Sequence, residues 1–193
     1  MTSRSKSLRL AAIGVGAAVV LAGCGSSDKG NAQPSGGASG SSGSTVGLAA
    51  DVPAGYDPCN DVPQAVLDSE KLRHKEKEDS NASGGIKWRG CIWAQTDGYG
   101  ARIQTTNITV DAVREKNLPD AHEFTINSRR AISTRQVDEH PQWACTLDVE
   151  MKGGSLEFNL SNPPSRKNTG QLDSCELTRA LAEKVVPTMP GNA

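Results

Sequence analysis

Five cysteines (Cys24, Cys59, Cys91, Cys145, Cys175) and three histidines (His74, His122, His140) are the side chains with most chemistry to offer in this chain. A thiolate paired with an imidazole can act as nucleophile and base, and both can ligate zinc. Structural zinc sites draw on close ligand pairs, and no C-x-x-C is present. His122 and His140 could serve as bases, but no serine or cysteine nucleophile is tied to either by a recognisable motif. Asp148 and Glu150 share one face of an alternating segment, joined by Glu157 if the register permits. Paired carboxylates cleave glycosides only at set separations, with one pKa raised in a cleft; these are read as a solvated sheet face. Trp88 and Trp93 flank Cys91 and could form an aromatic platform. Packing against a disulfide is the reading preferred, since tryptophan is highly buried on average and Trp93 shares the face of Cys91. Arg129, Arg130 and Arg135 could meet an anionic polymer or an acidic partner. They are read as a polar strand face balanced by Asp138 and Glu139. No catalytic residue, metal ligand or cofactor is assigned from the sequence, and no ligand-binding residue is identified.

Cys24 is a different case. It stands between Gly23 and Gly25, after an apolar run from Leu10 to Ala22 and a start that carries Arg4, Lys6 and Arg9 without an acid. The run is roughly a dozen residues, in the range of a secretory signal and short of the ~20 needed to span a bilayer. Leu21-Ala22-Gly23-Cys24 resembles the lipobox of bacterial lipoproteins. A thiol can carry a thioether-linked diacylglycerol, and small residues before it admit the signal peptidase. Lipidated Cys24 would then be the first mature residue, with enough acyl chain for stable anchoring.

The expected division of the chain follows. Residues 1–23 are the signal peptide, and 24–55 are the lipidated cysteine with a Gly/Ser-rich flexible tether. Residues 56–193 are a single extracytoplasmic domain. The whole chain has 21 basic and 22 acidic residues; removing three bases leaves 18 against 22, or −4. A mildly acidic exported chain is a poor match to nucleic acid and, lacking a polybasic run, to electrostatic lipid adhesion.

The four remaining cysteines are even in number, as an oxidised framework requires. Of the three pairings, Cys59–Cys91 and Cys145–Cys175 are expected. Each closes a loop of ~30 residues, which chain entropy values at roughly 3–4 kcal/mol.

Elements that would position these groups can be read from the pattern. Asp61 can cap a helix whose first turn takes Pro63, with Val62, Val66 and Leu72 on its apolar stripe. "HKEKEDS" leads into a polar edge strand. "KWRGCIWAQ" and "GYGARIQTTNI" read as strands joined at Asp97-Gly98. "TVDAVREKN" is a short helix capped by Thr109, and "EFTINSRRAISTRQV" supplies one or two strands. "WACTLDVEMKGGSLEFNL" is a hairpin with one apolar and one wet face, turning at Gly153-Gly154. A last helix starts at Asp173, carries Leu177, Leu181 and Val185 on one stripe, and stops at Pro187. The sum is an α+β fold: an antiparallel sheet with N- and C-terminal helices packed on one face and two disulfides.

Asp57-Pro58-Cys59 before a helix, Cys91-Ile92-Trp93 opening a strand, a third cysteine in "WAC" and a fourth opening a C-terminal helix resemble an actinobacterial family of secreted lipoproteins known only as a domain of unknown function. The resemblance implies the same two disulfides, a high-GC Gram-positive host and attachment to the outer face of the cytoplasmic membrane. It transfers no catalytic residue. The expected role is a lipid-anchored envelope protein that binds a partner protein or small ligand outside the membrane, without enzymatic activity. The alternatives are an envelope hydrolase whose site is assembled from scattered residues and a structural accessory of a larger complex.

Overall fold

The computed structural model describes residues 48–135 and 140–193. Cys24, and with it the expected signal peptide and most of the expected tether, lies outside the described residues, as do Asp138 and Glu139. Leu48 forms an isolated antiparallel bridge with Ile108, and Ala49 N donates to Asn107 O at 2.9 Å.

Eight strands build one antiparallel sheet: β1 (Arg73–Lys77), β2 (Ser80–Asn81), β3 (Lys87–Ala94), β4 (Gly100–Thr106), β5 (His122–Ile126), β6 (Arg129–Thr134), β7 (Ala144–Met151) and β8 (Gly154–Ser161). Their order is β1-β3-β4-β8-β7-β6-β5, with β2 pairing β3 past the end of β1. Among the described residues, four α-helices accompany them: α1 (Pro58–Asp61), α2 (Gln64–Ser69), α3 (Val110–Glu115) and α4 (Ser174–Val185).

Two-residue alternation gives the sheet two unlike faces. On one, Trp93, Ala101, Ile103, Leu147, Val149, Leu156, Phe158 and Leu160 are buried in the main core. Val62 and Leu67 from the N-terminal helical segment and Leu181, Ala182 and Val185 of α4 close over them. The N- and C-terminal helices therefore share a face, as the apolar stripes require. α3 lies on the other side, where Val110 and Val113 meet Ile108 and Ile132 in a smaller cluster.

The two disulfides fix those helices to the sheet. Cys59–Cys91 ties α1 to β3, with Cα atoms 5.2 Å apart, and Cys145–Cys175 ties the start of α4 to β7, with Cα atoms 5.0 Å apart. Trp93, 2 % exposed, packs in the core on the face of Cys91.

Local chemistry sets the helix starts. Asp57, not Asp61, caps α1, accepting from Cys59 N at 3.0 Å, while Asp61 accepts from Asp57 N at 2.7 Å. The helix expected to start from an Asp61 cap with Pro63 in its first turn starts at Gln64 instead, with Pro63 as its N-cap and no side-chain cap, and the short α1 precedes it. Pro63 has no N–H to continue α1, and its extended ψ of 137° restarts the chain as the N-cap of α2. Thr109 caps α3 through Ala112 N, and Asp173 caps α4 through Cys175 N at 2.8 Å and Glu176 N at 3.1 Å.

The β7–β8 hairpin turns at Lys152-Gly153, where Gly153 has φ 83°. Gly154 opens β8 hard against β4; a Cβ there would stand 2.0 Å from Thr106 O.

Candidate functional site

The tight turn fixes the hairpin register: Met151 faces Gly154, so Asp148 faces Glu157. On the far side of β8, Glu157 faces Gln104, and Asn159 lies between Arg102 and Thr146. Alternation sends all of these to the face opposite the main core. Polar side chains thus line the centre of the second face, half covered by α3.

Trp88 belongs to this face. Its Nε1 donates to Glu157 Oε2 at 3.0 Å, and its ring packs on the α3 cluster. Gln104 Nε2 donates to Glu78 O, and Asn159 Nδ2 donates to Thr146 Oγ1 at 3.0 Å. Arg102 Nη2 meets Glu78 Oε1 at 2.8 Å, while Arg102 Nε is buried without a hydrogen-bond partner. Trp88, Arg102, Glu157, Asn159 and Thr146 are half-buried, so their outer edges reach solvent.

Asp148 does not. It is 2 % exposed, beneath the segment that enters α3. Ser155 Oγ stands 2.8 Å from Asp148 Oδ1 and 2.9 Å from Ile108 O. Burial pushes the Asp148 carboxyl well above the usual carboxylate range, and the charge of Glu157 adds to the shift; the charge of Lys116 opposes it only in part. Burial also raises Glu157, against the Trp88 N–H and the charges of Arg102 and Lys116. Two carboxyls side by side in a dry site cannot both ionise cheaply. Asp148 is raised the further of the two, because Glu157 also has the Trp88 N–H and the Arg102 charge to favour its ionised form.

This corrects the solvated-face reading for Asp148, while Glu150 does lie at the surface. Asp148 is covered by α3, and Glu150 is engaged by Arg130, whose Nη2 meets it at 2.7 Å. The hydrogen bonds of Arg130 hold Glu150 below the usual carboxylate range. The partner of Asp148 was within reach of the sequence. Once the loop is taken as Lys152-Gly153, counting back along both strands pairs 148 with 157.

The arginines do not form one cluster. Arg129 donates to Ala193 O and Pro190 O, at 2.7 and 2.6 Å. Arg130 bridges Glu150 and Asp111. Arg135 reaches Asp173 Oδ2 at 2.5 Å and Ser174 Oγ at 2.9 Å. Each ties a different pair of elements; Asp138 and Glu139, expected to balance them, lie outside the described residues. The histidines are also dispersed. His122 is exposed on β5, His74 sits in β1 with φ 57°, and the ring of His140 stacks on Trp143 with centroids 3.7 Å apart. Among the described residues, no three His, Cys, Asp or Glu side chains converge as a metal site would need.

Of several surface hollows among the described residues, the largest, about 730 Å³, lies between Ser69, Arg73, Gln95 and Asn168, and two others bear on the sheet faces. One of about 560 Å³ lies beside Cys59–Cys91, between Tyr56, Asn60, Lys75 and Arg89. The other, about 320 Å³ and mostly apolar, lies beside α3 between Leu48, Ile86, Ile108 and Ala112. Neither contains the Asp148–Glu157 pair. The arrangement offers an acceptor at Glu157, donors at Arg102 and Asn159 and an aromatic edge at Trp88, all on a broad sheet surface.

No curated protein and no solved structure matches the chain. Residues 19–188, and so most of the chain, match the family described as Protein of unknown function (DUF3558), to which this chain belongs.

Proposed function

We propose that this protein is an exported lipoprotein, held by acylated Cys24 on the outer face of the cytoplasmic membrane of an actinobacterium, and that its domain binds a partner there without catalysing a reaction. The observation that carries the location is the pair of disulfides. Such bridges persist in oxidising space and are rare in the cytosol. Leu21-Ala22-Gly23-Cys24 supplies the means of attachment. Cys24→Ala should release the protein from membranes or leave an unprocessed precursor; a processed chain still retained on membranes refutes the anchor.

The binding reading draws on the second sheet face, where Trp88, Arg102, Glu157 and Asn159 present mixed donors and acceptors without a deep cleft. Tryptophan and arginine are the residues over-represented at binding hot spots. Crosslinking on intact cells, comparing the natural chain with an Arg102→Ala/Asn159→Ala variant, tests it. A reproducible crosslinked species that the double variant loses supports the reading. A species retained by the variant, or none at all, overturns this face as the site.

One observation favours a hydrolase: two adjacent carboxyls with raised pKa values. Geometry weighs against it. An acid–base pair must reach the scissile bond from two sides, and Asp148 is sealed under α3. Turnover of a cell-wall glycan by the purified protein, abolished in Glu157→Gln, would replace binding with hydrolysis.

A further inference from the structure

Asp148, Ser155 and Ile108 form a chain of three oxygens under the entry to α3, and this chain has a proton count. Ser155 Oγ lies within hydrogen-bonding distance of two acceptors, Asp148 Oδ1 at 2.8 Å and Ile108 O at 2.9 Å. A hydroxyl carries one hydrogen. It can donate to one of the two, and the other oxygen must then supply a hydrogen of its own. A backbone carbonyl has none. Unless that one hydrogen is split between two acceptors, which weakens both bonds, the two contacts are best satisfied with Asp148 as donor to Ser155 and Ser155 as donor to Ile108.

We propose that Asp148 is a neutral carboxylic acid in the native protein, and that its proton, relayed as a hydrogen bond through Ser155 to the Ile108 carbonyl, is the latch that holds the α3 segment on the sheet. The inference is independent of the binding activity proposed above.

The surroundings suit a neutral acid. β6 places the apolar Ile132 opposite Asp148. β8 places Glu157 opposite it, a negative charge that opposes a second one. From the α3 side the cation is Lys116, which acts on both carboxyls. Arg102 on β4 acts on Glu157. Arg130 on β6 and Arg114 of α3 are committed to Asp111, and Arg130 to Glu150 as well. Ile108, locked by the relay, is itself part of the apolar cluster with Val110 and Val113, so opening the relay loosens the docking of α3.

The pH dependence has a definite sign. A carboxyl whose folded pKa lies above its unfolded value stabilises fully below the unfolded pKa, about 3.9 for aspartate. That stabilisation is lost as pH rises through the folded pKa. Within this window the unfolding constant should rise by up to about tenfold per pH unit. An asparagine at 148 donates from its amide at every pH, so Asp148→Asn imitates the latched state.

The test is urea unfolding of the purified full chain and its Asp148→Asn variant across pH 4 to 9. The ratio of the two unfolding constants removes the contribution of the other titrating groups. It should be near one at the acid end and grow in favour of Asp148→Asn as pH rises, then level off. The infrared difference spectrum of the natural chain against the variant at pH 7 should contain the carbonyl stretch of a neutral carboxyl. In Ser155→Ala that stretch should shift, and the amides of α3 should exchange faster. If the spectrum instead shows an ionised carboxylate at 148, the latch is refuted. It is equally refuted if Asp148→Asn is less stable by a constant factor at every pH. Should that variant not fold, the natural chain's own neutral-carboxyl band, and its shift in Ser155→Ala, decides the matter.

Discussion

Removing the disulfides one at a time separates two accounts of what they do. The perturbations are Cys59→Ala/Cys91→Ala and Cys145→Ala/Cys175→Ala. The bridges span sequence separations of 32 and 30 residues. Loop-closure entropy then assigns each roughly 3.6 kcal/mol, with a difference between them under about 0.1 kcal/mol. Their settings differ more than their loops. Cys59 sits in a four-residue helix that packs on β3, and the bridge is its covalent tie to the sheet. Cys175 sits in the 12-residue α4, which Leu181, Ala182 and Val185 also anchor in the core. If the denatured chain's entropy dominates, both double variants should lose about the same global stability. With a urea m-value of about 2 kcal/mol/M, each midpoint should fall by roughly 2 M. Hydrogen exchange would then differ locally: the α1 amides should lose protection without the first bridge, while α4 stays protected without the second. A difference between the two midpoints larger than about 1 M would refute the entropic account in favour of native packing. A drop under about 0.5 M for both would show that neither bridge contributes as argued.

Asp173→Ala should destabilise by about 1–2 kcal/mol through the lost cap, and further by leaving Arg135, 15 % exposed at its side chain, with only the more distant Asp120 as carboxylate partner. Asp173→Asn should keep the cap and lose the ion pair, so calorimetry of the two separates the contributions. Burial raises the pKa of Asp173, but the Glu176 N–H and Arg135 outweigh it and leave the value depressed. Its stabilisation is therefore full above about pH 3.9 and is lost as pH falls through the folded value, a dependence absent from Asp173→Asn. Glu70 accepts from Tyr99 Oη at 2.6 Å and pairs with Lys184, joining the end of α2, the β3–β4 turn and α4. Glu70→Ala should cost about 2 kcal/mol in chemical unfolding, because it strands a buried hydroxyl. Leu181→Ala in α4 should cost about 2–5 kcal/mol by the same assay, since the side chain is fully buried.

Strands and helices in this chain follow from local rules that act within a few residues. Alternation along Ala144–Met151 and Gly154–Ser161 dictates a hairpin with one apolar face. Asp173 and Thr109 are short side chains placed where helix N–H groups lack partners, and they cap α4 and α3. An even set of four cysteines, and the order in which they fall, anticipates the two bridges the structure contains. The short α1 before Pro63 was not expected; it forms because Asp57 reaches the Cys59 N–H, while Asp61 accepts from Asp57 N instead of capping the next helix.

The second face of the sheet could not be read in the same way, because burial there is decided by what lies on top. Asp148 and Glu150 are two residues apart on one strand and look alike in sequence. One is under α3 and without charge compensation from an arginine; the other is held at the surface by Arg130. Arg129, Arg130 and Arg135 are neighbours in sequence, yet they tie the C-terminal residues, Asp111 and α4 to the sheet. The sequence by itself determined most of the elements, their polarity and that four cysteines remain to pair, since these depend on near neighbours and on count; which cysteine meets which is fixed by the fold. Only the tertiary structure decided which polar groups lose water. Solvation depends on the three-dimensional surroundings of an atom, and the helix that covers Asp148 lies more than thirty residues before it in the chain.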